Sequence, residues 1–322
     1  MADDKKISIF DYYEKKKTDW WDGVVDEASA KEQHRKNIEK IRQVLQWRTV
    51  KDRPLSILVL HGSGRHPVTS CAHEMSNSQL LLNRGLSLAR KEFSGEVEVD
   101  EFILRELFLE PCNNCVSTTS ALCNFPCSCF PGDDISTRIY PAVIKADVIL
   151  LSTGVNQSMI SSRLKIVIDR LIAVDGGYFI EELPMKDSIW RAKMIQHSLD
   201  EPVYDQRMFG KVASYFVTSK DLKNTKKTGV PTDKKWYKGY DELVIGSLYS
   251  NGIDYGWFHA DPFYVIAGAD PDVEYGYDKS EYNNEQLHEE SKEVVLAALH
   301  LAERHRNDPP TFDGKGGRIN RT

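Results

Sequence analysis

Short apolar runs alternate along the chain with segments in which apolar residues recur every three or four positions. A nearly continuous apolar run is typical of a strand buried on both faces of a parallel sheet. The pattern predicts five core strands, at residues 55–60, 97–104, 147–151, 212–217 and 263–267. The three-and-four spacing is that of amphipathic helices. It predicts helices at residues 27–47, 77–92, 135–145, 159–172, 186–199, 236–251 and 283–304.

This alternation predicts an α/β fold with a doubly wound, five-stranded parallel sheet, because parallel neighbours need a crossover connection and helices usually supply it. Ligands of such sheets bind beyond the carboxyl ends of the strands. We therefore expect the functional residues in the loops that follow residues 60, 151 and 217.

The pattern also suggests how the chain is divided. Residues 1–53 read as an N-terminal arm and helix, and residues 54–304 as one domain with a cysteine-rich loop inserted at residues 111–134. Residues 305–322 lack apolar periodicity and read as a C-terminal tail.

Composition is that of an ordinary globular protein, with 41% hydrophobic and 28% charged residues. We expect a soluble, cytoplasmic protein, because no run is long enough to span a membrane and the first residues carry no apolar signal segment. The net charge of −6 includes no long basic run, so nucleic acid is not an expected partner.

The first of the three loops has the residues that a phosphate group requires. It reads His61-Gly62-Ser63-Gly64-Arg65 and leads to a helix that begins near Ser76-Asn77-Ser78. Glycine permits close backbone approach, hydroxyl and guanidinium groups donate to anionic oxygens, and a helix amino terminus offers free N–H groups. The alternative is that Ser76 or Asn77 simply caps the helix.

Two motifs in the same order resemble a known family. The strand followed by Gly62-Ser63-x-Arg65 and Asn77-Ser78, together with the later stretch Ala146 to Gln157, is similar to the NAD(P)H-dependent FMN reductases and iron–sulfur flavoproteins. The resemblance implies a flavodoxin-like fold with an N-terminal helical extension. It covers roughly residues 55–270.

The resemblance also implies where flavin mononucleotide (FMN) would bind. The residues expected around its phosphate are Ser63, Arg65, Ser76, Asn77 and Ser78. Those expected beside the isoalloxazine ring are Thr153, Gly154, Val155, Asn156 and Gln157, with Thr218, Ser219 and Lys220 as a third wall. Gly154 departs from the family, which usually has proline there.

Cysteine is unevenly distributed. One of the six cysteines, Cys71, stands apart, and the cysteine-rich loop holds Cys112, Cys115, Cys123, Cys127 and Cys129. In a cytosolic chain such clustering favours metal or redox chemistry over structural disulfides. Three interpretations stay open, which are a [4Fe-4S] cluster, a zinc site, and free or transiently oxidised thiols. A cysteine loop followed by paired aspartates, here Asp133-Asp134, resembles the cluster loop of iron–sulfur flavoproteins, although the spacing differs.

These features predict an oxidoreductase that takes a hydride from NAD(P)H onto FMN and passes electrons to a quinone, a flavin or an iron–sulfur partner. The cofactor would carry the chemistry, so no catalytic side chain is named. The alternative is an electron carrier or redox sensor of the iron–sulfur flavoprotein type that does not use NAD(P)H directly. By resemblance, we also expect a homo-oligomer such as a dimer.

Overall fold

The computed structural model describes residues 27–65, 76–115, 123–156, 159–179, 207–219, 240–268 and 285–311. Its strands are β1 (Leu55–His61), β2 (Val97–Ile103), β3 (Asn124–Phe125), β4 (Val148–Gly154), β5 (Tyr178–Phe179), β6 (Val212–Ser219) and β7 (Tyr264–Gly268). Its α-helices are α1 (Glu27–Arg48), α2 (Asn77–Glu92), α3 (Tyr140–Lys145), α4 (Ser162–Arg170), α5 (Ile172–Gly176), α6 (Tyr240–Asp254) and α7 (Glu285–Asn307). The helix predicted at residues 186–199 lies outside the described residues.

Five strands form one all-parallel sheet in the order β2-β1-β4-β6-β7. This order, with the second strand at the edge beside the first, is that of flavodoxin-like folds and confirms the predicted fold class. In the register, His61 lies beside Ser152, and Gly154 lies beside Thr218. The carboxyl ends of β1, β4 and β6 therefore meet at one edge of the sheet.

Both faces of this sheet are covered, as the continuous apolar runs predict. On one face, apolar side chains of the strands pack with those of α2 and α7, among them Leu82 and Val295. On the other face they pack with residues of α1, α3, α4 and α6, among them Ile41 and Leu164. Within the described ranges, no helix has the length and apolar character needed to cross a membrane.

Two predicted helices differ in the structure. The segment predicted at residues 135–145 starts as a π-helix, Ile135–Ile139, before α3. Pro141 lacks the N–H that an α-helix would bond to residue 137, and the Tyr140 N–H bonds instead to the Ile135 carbonyl, five residues back. The segment predicted at residues 159–172 starts later, at Ser162, because Asn156 and Met159 pair with each other as a β-bridge.

Beyond the predicted end at residue 304, α7 continues to Asn307. His305 Nδ1 lies 3.0 Å from the Gly210 carbonyl oxygen, and the Arg306 guanidinium donates to the carbonyls of Arg53 and Pro54. The last turn of this helix is thus bonded to the loops at the amino end of the sheet.

A small parallel pair, β3 with β5, was not predicted. Its first strand, β3, lies within the cysteine-rich loop, and the pairing joins Asn124 and Phe125 to β5 in the segment after α5. Phe125 is fully buried between the rings of Tyr140 and Phe179. This pair fixes the second half of the cysteine-rich loop against the domain.

Candidate functional site

The three predicted loops begin on adjacent strands and are hydrogen-bonded to one another at their starts. The Gly62 N–H donates to the Ser152 carbonyl at 2.8 Å, which continues the β1–β4 pairing past the end of β1. The Val155 N–H donates to the Thr218 carbonyl at 2.9 Å and does the same for β4 and β6. The backbone therefore brings the starts of the three loops to one edge of the sheet.

Gly62 lies in direct contact with the start of α4. A Cβ at this position would lie 2.7 Å from the Leu164 Cβ and 2.8 Å from the Ser161 Oγ, so a larger residue would collide. The Ser161 hydroxyl donates to the Gly62 carbonyl and accepts from the Leu164 N–H, which makes it the cap of α4. Ser161 thus connects the first loop to the second, a role that the sequence did not indicate.

The rest of the first loop is more open. The Ser63 Oγ accepts from the Arg65 N–H at 3.2 Å, and both residues are half-buried. A Cβ on Gly64 would meet nothing within 4 Å among the described residues. The loop therefore has one tightly constrained residue, Gly62, followed by residues with space around them.

At the start of α2, the side chain of Ser76 does not cap the helix, in contrast to the simple capping interpretation. Ser76 occupies the N-cap position, but its side chain makes no capping hydrogen bond. Its Oγ lies 2.9 Å from the Ser78 Oγ, and both residues are buried. The Ser76 hydroxyl therefore leaves the first N–H groups of α2 uncapped, as suits an anion-binding helix terminus. Asn77 is half-buried at the first helical position.

The second loop is shaped by its own backbone. The Thr153 Oγ1 accepts from the Ser161 N–H at 3.0 Å and donates to the Gly154 carbonyl at 2.9 Å. Asn156 and Met159 exchange two backbone hydrogen bonds of 2.9 Å across a tight turn. Gln157, predicted inside this turn, lies outside the described residues.

Gly154 faces the third wall at Thr218. A Cβ on Gly154 would contact only Thr218 atoms, at 3.9 Å, so among the described residues no close contact requires glycine at this position. Thr218 is half-buried. Ser219 ends β6, and neither its side chain nor Lys220 is among the described features.

A buried polar group lies just before the phosphate loop. His61, expected in a loop, is the last residue of β1 and is fully buried. Its Nδ1 is 2.8 Å from the Ser152 Oγ, and its Nε2 is 2.9 Å from the Glu101 carboxylate. The hydrogen bond from His61 lowers the pKa of Glu101 below its ordinary value, and burial opposes this. The contacts of His61 with Ser152 and Glu101 can be recognised only when the strand register is known.

All five cysteines of the cysteine-rich loop line one cavity. The cavity has a volume of about 20 Å³, room for roughly one water molecule, and its other lining residues include Asn124 and Arg170. Each of the five cysteines is half-buried and free. Cys71 lies outside the described residues. The sequence-based grouping of these cysteines therefore corresponds to one pocket in space.

Two sulfurs of this pocket are in contact. The Cys115 Sγ lies 3.5 Å from the Cys129 Sγ. A hydrogen bond from Cys129 lowers the pKa of Cys127 to about 6, and the positive charge of Arg170 acts in the same direction. Burial raises the pKa of Cys123 to about 12. The pocket thus contains thiols of very different acidity.

Arg170 forms one wall of the pocket and is itself 1% exposed. Its guanidinium donates to the Asp133 carboxylate at 3.0 Å and to the Glu110 carbonyl at 3.0 Å. Its Nη2 also donates to the Ser136 Oγ at 3.1 Å. The first of the paired aspartates therefore holds Arg170 rather than pointing to the cysteines.

The cysteine arrangement does not fit a metal centre. Among the described residues, no group of three or more histidine, cysteine or acidic side chains is placed to hold a metal ion. Four thiolates around zinc, with Zn–S bonds of about 2.3 Å, would lie about 3.8 Å apart around a common centre. Here the Cys115 and Cys129 sulfurs lie 3.5 Å apart, but no third described side chain completes such a group with them. The expectation of a cluster or zinc is therefore not supported.

Comparison with known proteins finds a family model that matches part of the chain. Residues 55–195 match the family model described as NADPH-dependent FMN reductase. The matched segment includes the first two loops and the cysteine pocket and ends before β6. No curated protein sequence matches the chain.

Solved structures share the fold at low sequence identity. RosB with the bound intermediate 8-demethyl-8-formylriboflavin-5'-phosphate is 14% identical, and the alignment covers 80% of this chain and 83% of that one with a TM-score of 0.53. An FMN-dependent NADH-azoreductase from Bacillus anthracis in complex with FMN is 14% identical, with coverage of 77% and 99% and a TM-score of 0.41. The first likeness supports the fold, and the second is too distant to add to it.

Proposed function

We propose that this chain, whose residues 55–195 match the family model described as NADPH-dependent FMN reductase, is an FMN-dependent oxidoreductase that oxidises NAD(P)H. The electron acceptor that we propose is a quinone, a free flavin or an iron–sulfur partner. We also propose a cytoplasmic homo-oligomer, on the resemblance to the family alone.

The observation that carries this proposal is the convergence of three loops at the ends of β1, β4 and β6, where flavodoxin-like folds bind their ligand. Gly62 lets the first loop lie against α4, and the Ser76 side chain leaves the start of α2 uncapped. Both features suit the approach of a phosphate group to the backbone. The described residues therefore fit FMN.

The described geometry sharpens the proposed roles of the site residues. Ser63, Arg65 and Asn77 would donate to the phosphate, while Ser76 and Ser78 would act through the backbone because their hydroxyls pair with each other. The ring would lie against backbone groups of residues 153–157 and against residues 218–220. Thr153 would hold the turn, since its hydroxyl is used within the loop. The bound flavin would supply hydride and electron transfer, and the protein would orient it and exclude water.

A second candidate function is an electron carrier or redox sensor that does not use NAD(P)H directly. The five-cysteine pocket favours it, because these thiols are half-buried and lie within one cavity. The structure adds no support for iron–sulfur or zinc chemistry in this candidate, because no group of three or more possible ligands among the described residues is placed to hold a metal ion.

One preparation distinguishes these candidates. Protein purified without oxygen should be yellow and release stoichiometric FMN on denaturation. If about one nicotinamide is oxidised for each flavin reduced, the chain is a reductase. If dithionite reduces the flavin and NAD(P)H does not, it is a carrier or sensor. Colourless protein that takes up no added FMN would contradict both.

The phosphate loop is tested through Arg65. Its charge-assisted hydrogen bonds to the phosphate should contribute about 1.5 to 3 kcal/mol. Arg65→Ala should therefore weaken FMN binding by roughly tenfold to a hundredfold and leave riboflavin, which lacks the phosphate, nearly unaffected. Arg84→Ala, on an exposed position of α2, is the matched control. Fluorescence titration with both flavins measures the effect, and an unchanged preference for FMN would remove Arg65 from the site.

A further inference from the structure

We infer that Cys115 and Cys129 form a redox-active dithiol that closes reversibly to a disulfide in the presence of a hydroperoxide or a small-molecule disulfide. This inference does not depend on flavin binding. It rests on the contact between the Cys115 and Cys129 sulfurs within the cysteine pocket.

The distance between the two sulfurs carries the inference. They lie 3.5 Å apart, in direct contact as thiols, and a disulfide bond is about 2.05 Å long. Closure therefore requires the sulfurs to approach by only about 1.5 Å. Cys115 and Cys129 are separated by a long stretch of chain, so their contact is made by the fold and not by proximity in sequence.

The surroundings of Cys129 hold its side of the pair in place. The next residue, Phe130, is 2% exposed and packs against the guanidinium of Arg170, with 5.0 Å between the guanidinium carbon and the ring centroid. A few residues earlier, Phe125 is held by the β3–β5 pair. Cys129 thus lies between two anchored aromatic residues, where its sulfur meets Cys115 in a defined position.

The pocket is also accessible to a small oxidant. Both cysteines are half-buried, so a small molecule can reach the sulfurs. Cys123 lines the same cavity as a half-buried free thiol and serves as an internal comparison. The pair therefore combines contact with access, which a buried structural cysteine lacks.

The chemistry balances with either oxidant. With a hydroperoxide, the two thiols lose two protons and two electrons to the O–O bond, and the products are the disulfide, an alcohol and water. With a small-molecule disulfide, one protein thiolate attacks a sulfur of that disulfide, which forms a mixed disulfide and releases the first small thiol. The second protein thiolate then attacks the protein sulfur of the mixed disulfide, which forms the internal disulfide and releases the second small thiol. An added dithiol reverses the reaction.

The experiment uses the full chain with its bound cofactor. Reduced protein is treated with hydrogen peroxide or oxidised glutathione, free thiols are counted, and chymotryptic fragments are analysed without reduction. Cleavage after Leu122 places Cys115 and Cys129 in different fragments. We expect the loss of two thiols per chain, a cross-link between Cys115 and Cys129, and full recovery with dithiothreitol.

Single variants test the assignment. Cys115→Ser and Cys129→Ser should each abolish the cross-link, whereas Cys123→Ser should retain it. Tandem mass spectrometry of the cross-linked fragments from the unmodified chain distinguishes Cys115 from Cys112, and Cys129 from Cys123 and Cys127, so it decides the matter even if a variant fails to fold. A different cross-link, no cross-link, or stoichiometric iron or zinc that prevents oxidation would overturn the inference. Flavin content, measured in the same samples, reports separately on the proposed FMN site.

Discussion

The three loops after β1, β4 and β6, for which we propose flavin binding and which we call the flavin loops, are built differently from the cysteine pocket. The loops continue the strand ladder, and their first hydrogen bonds join backbone groups of β1, β4 and β6. The pocket is assembled from side chains, around a guanidinium that is bonded to a carboxylate, a hydroxyl and a carbonyl. The strands of the sheet therefore set the geometry of the loops, whereas the geometry of the cysteine pocket depends on a few specific side-chain contacts.

Each region also contains a basic side chain hydrogen-bonded to a carboxylate, and the two pairs differ in burial. Arg170 and Asp133 have side chains that are each 1% exposed. Beside the flavin loops, His61 is fully buried, but its partner Glu101 is 41% exposed. Loss of one partner leaves an unpaired charge far from water only in the first case. The cysteine pocket should therefore tolerate less change to its charged residues than the flavin loops do.

The largest expected effect comes from Arg170→Met. Removal of this guanidinium leaves Asp133 buried without its partner, which should destabilise the protein by about 3 to 5 kcal/mol. Arg163→Met is the matched control on the same helix, because Arg163 is half-buried and donates one hydrogen bond, to the Leu107 carbonyl. Urea unfolding measures both variants. Adding Asp133→Asn to Arg170→Met should restore part of the loss, and equal effects of the two arginines would refute the contrast.

A smaller effect is expected at the flavin loops from Gly62→Ala. The added Cβ would collide with Leu164 and Ser161, and such overpacking typically costs about 1 to 3 kcal/mol. Because the collision displaces the loop, FMN affinity should fall as well. Gly64→Ala has open space and should change neither stability nor affinity substantially. Thermal unfolding and flavin titration of the two variants test this, and similar results for both would show that the close approach is unimportant.

The sequence predicted where the three loops lie in the fold better than it predicted the contacts of the cysteine pocket, for a physical reason. Continuous apolar runs locate parallel strands, and the loops at their carboxyl ends follow from the topology of the fold. The pairing of β3 with β5 and the contact of Cys115 with Cys129 depend on tertiary packing between distant segments, which periodicity does not encode. His61 was likewise misassigned to a loop, because its partners Ser152 and Glu101 become visible only when strand register is known.

A more modest effect is expected where the two halves of the flavin site join. Ser161→Ala removes the cap of α4 and the hydrogen bond to the Gly62 carbonyl, which together should cost about 1 kcal/mol of stability. Ser162→Ala, one residue later and exposed, is the control. Chemical denaturation compares the two. A loss no greater for Ser161→Ala than for Ser162→Ala would indicate that the loops are held by the strand ladder alone.

The smallest effect is a pH dependence at Glu101. Its pKa is lowered in the folded state by the hydrogen bond from His61, so the ionised form is favoured by folding. This stabilisation is present above the ordinary carboxyl pKa and is lost as the pH falls through the lowered folded value. Because Glu101 is substantially exposed, the contribution should not exceed about 1 kcal/mol. We would measure urea unfolding between about pH 5 and pH 3, the range in which carboxyl groups titrate. The free energy of unfolding should fall more steeply with decreasing pH for the unmodified chain than for Glu101→Gln. If the unmodified chain and Glu101→Gln lose stability in parallel as the pH falls, the His61–Glu101 pair contributes nothing to stability. The two charged pairs would then differ in their contribution to stability by more than their burial implies.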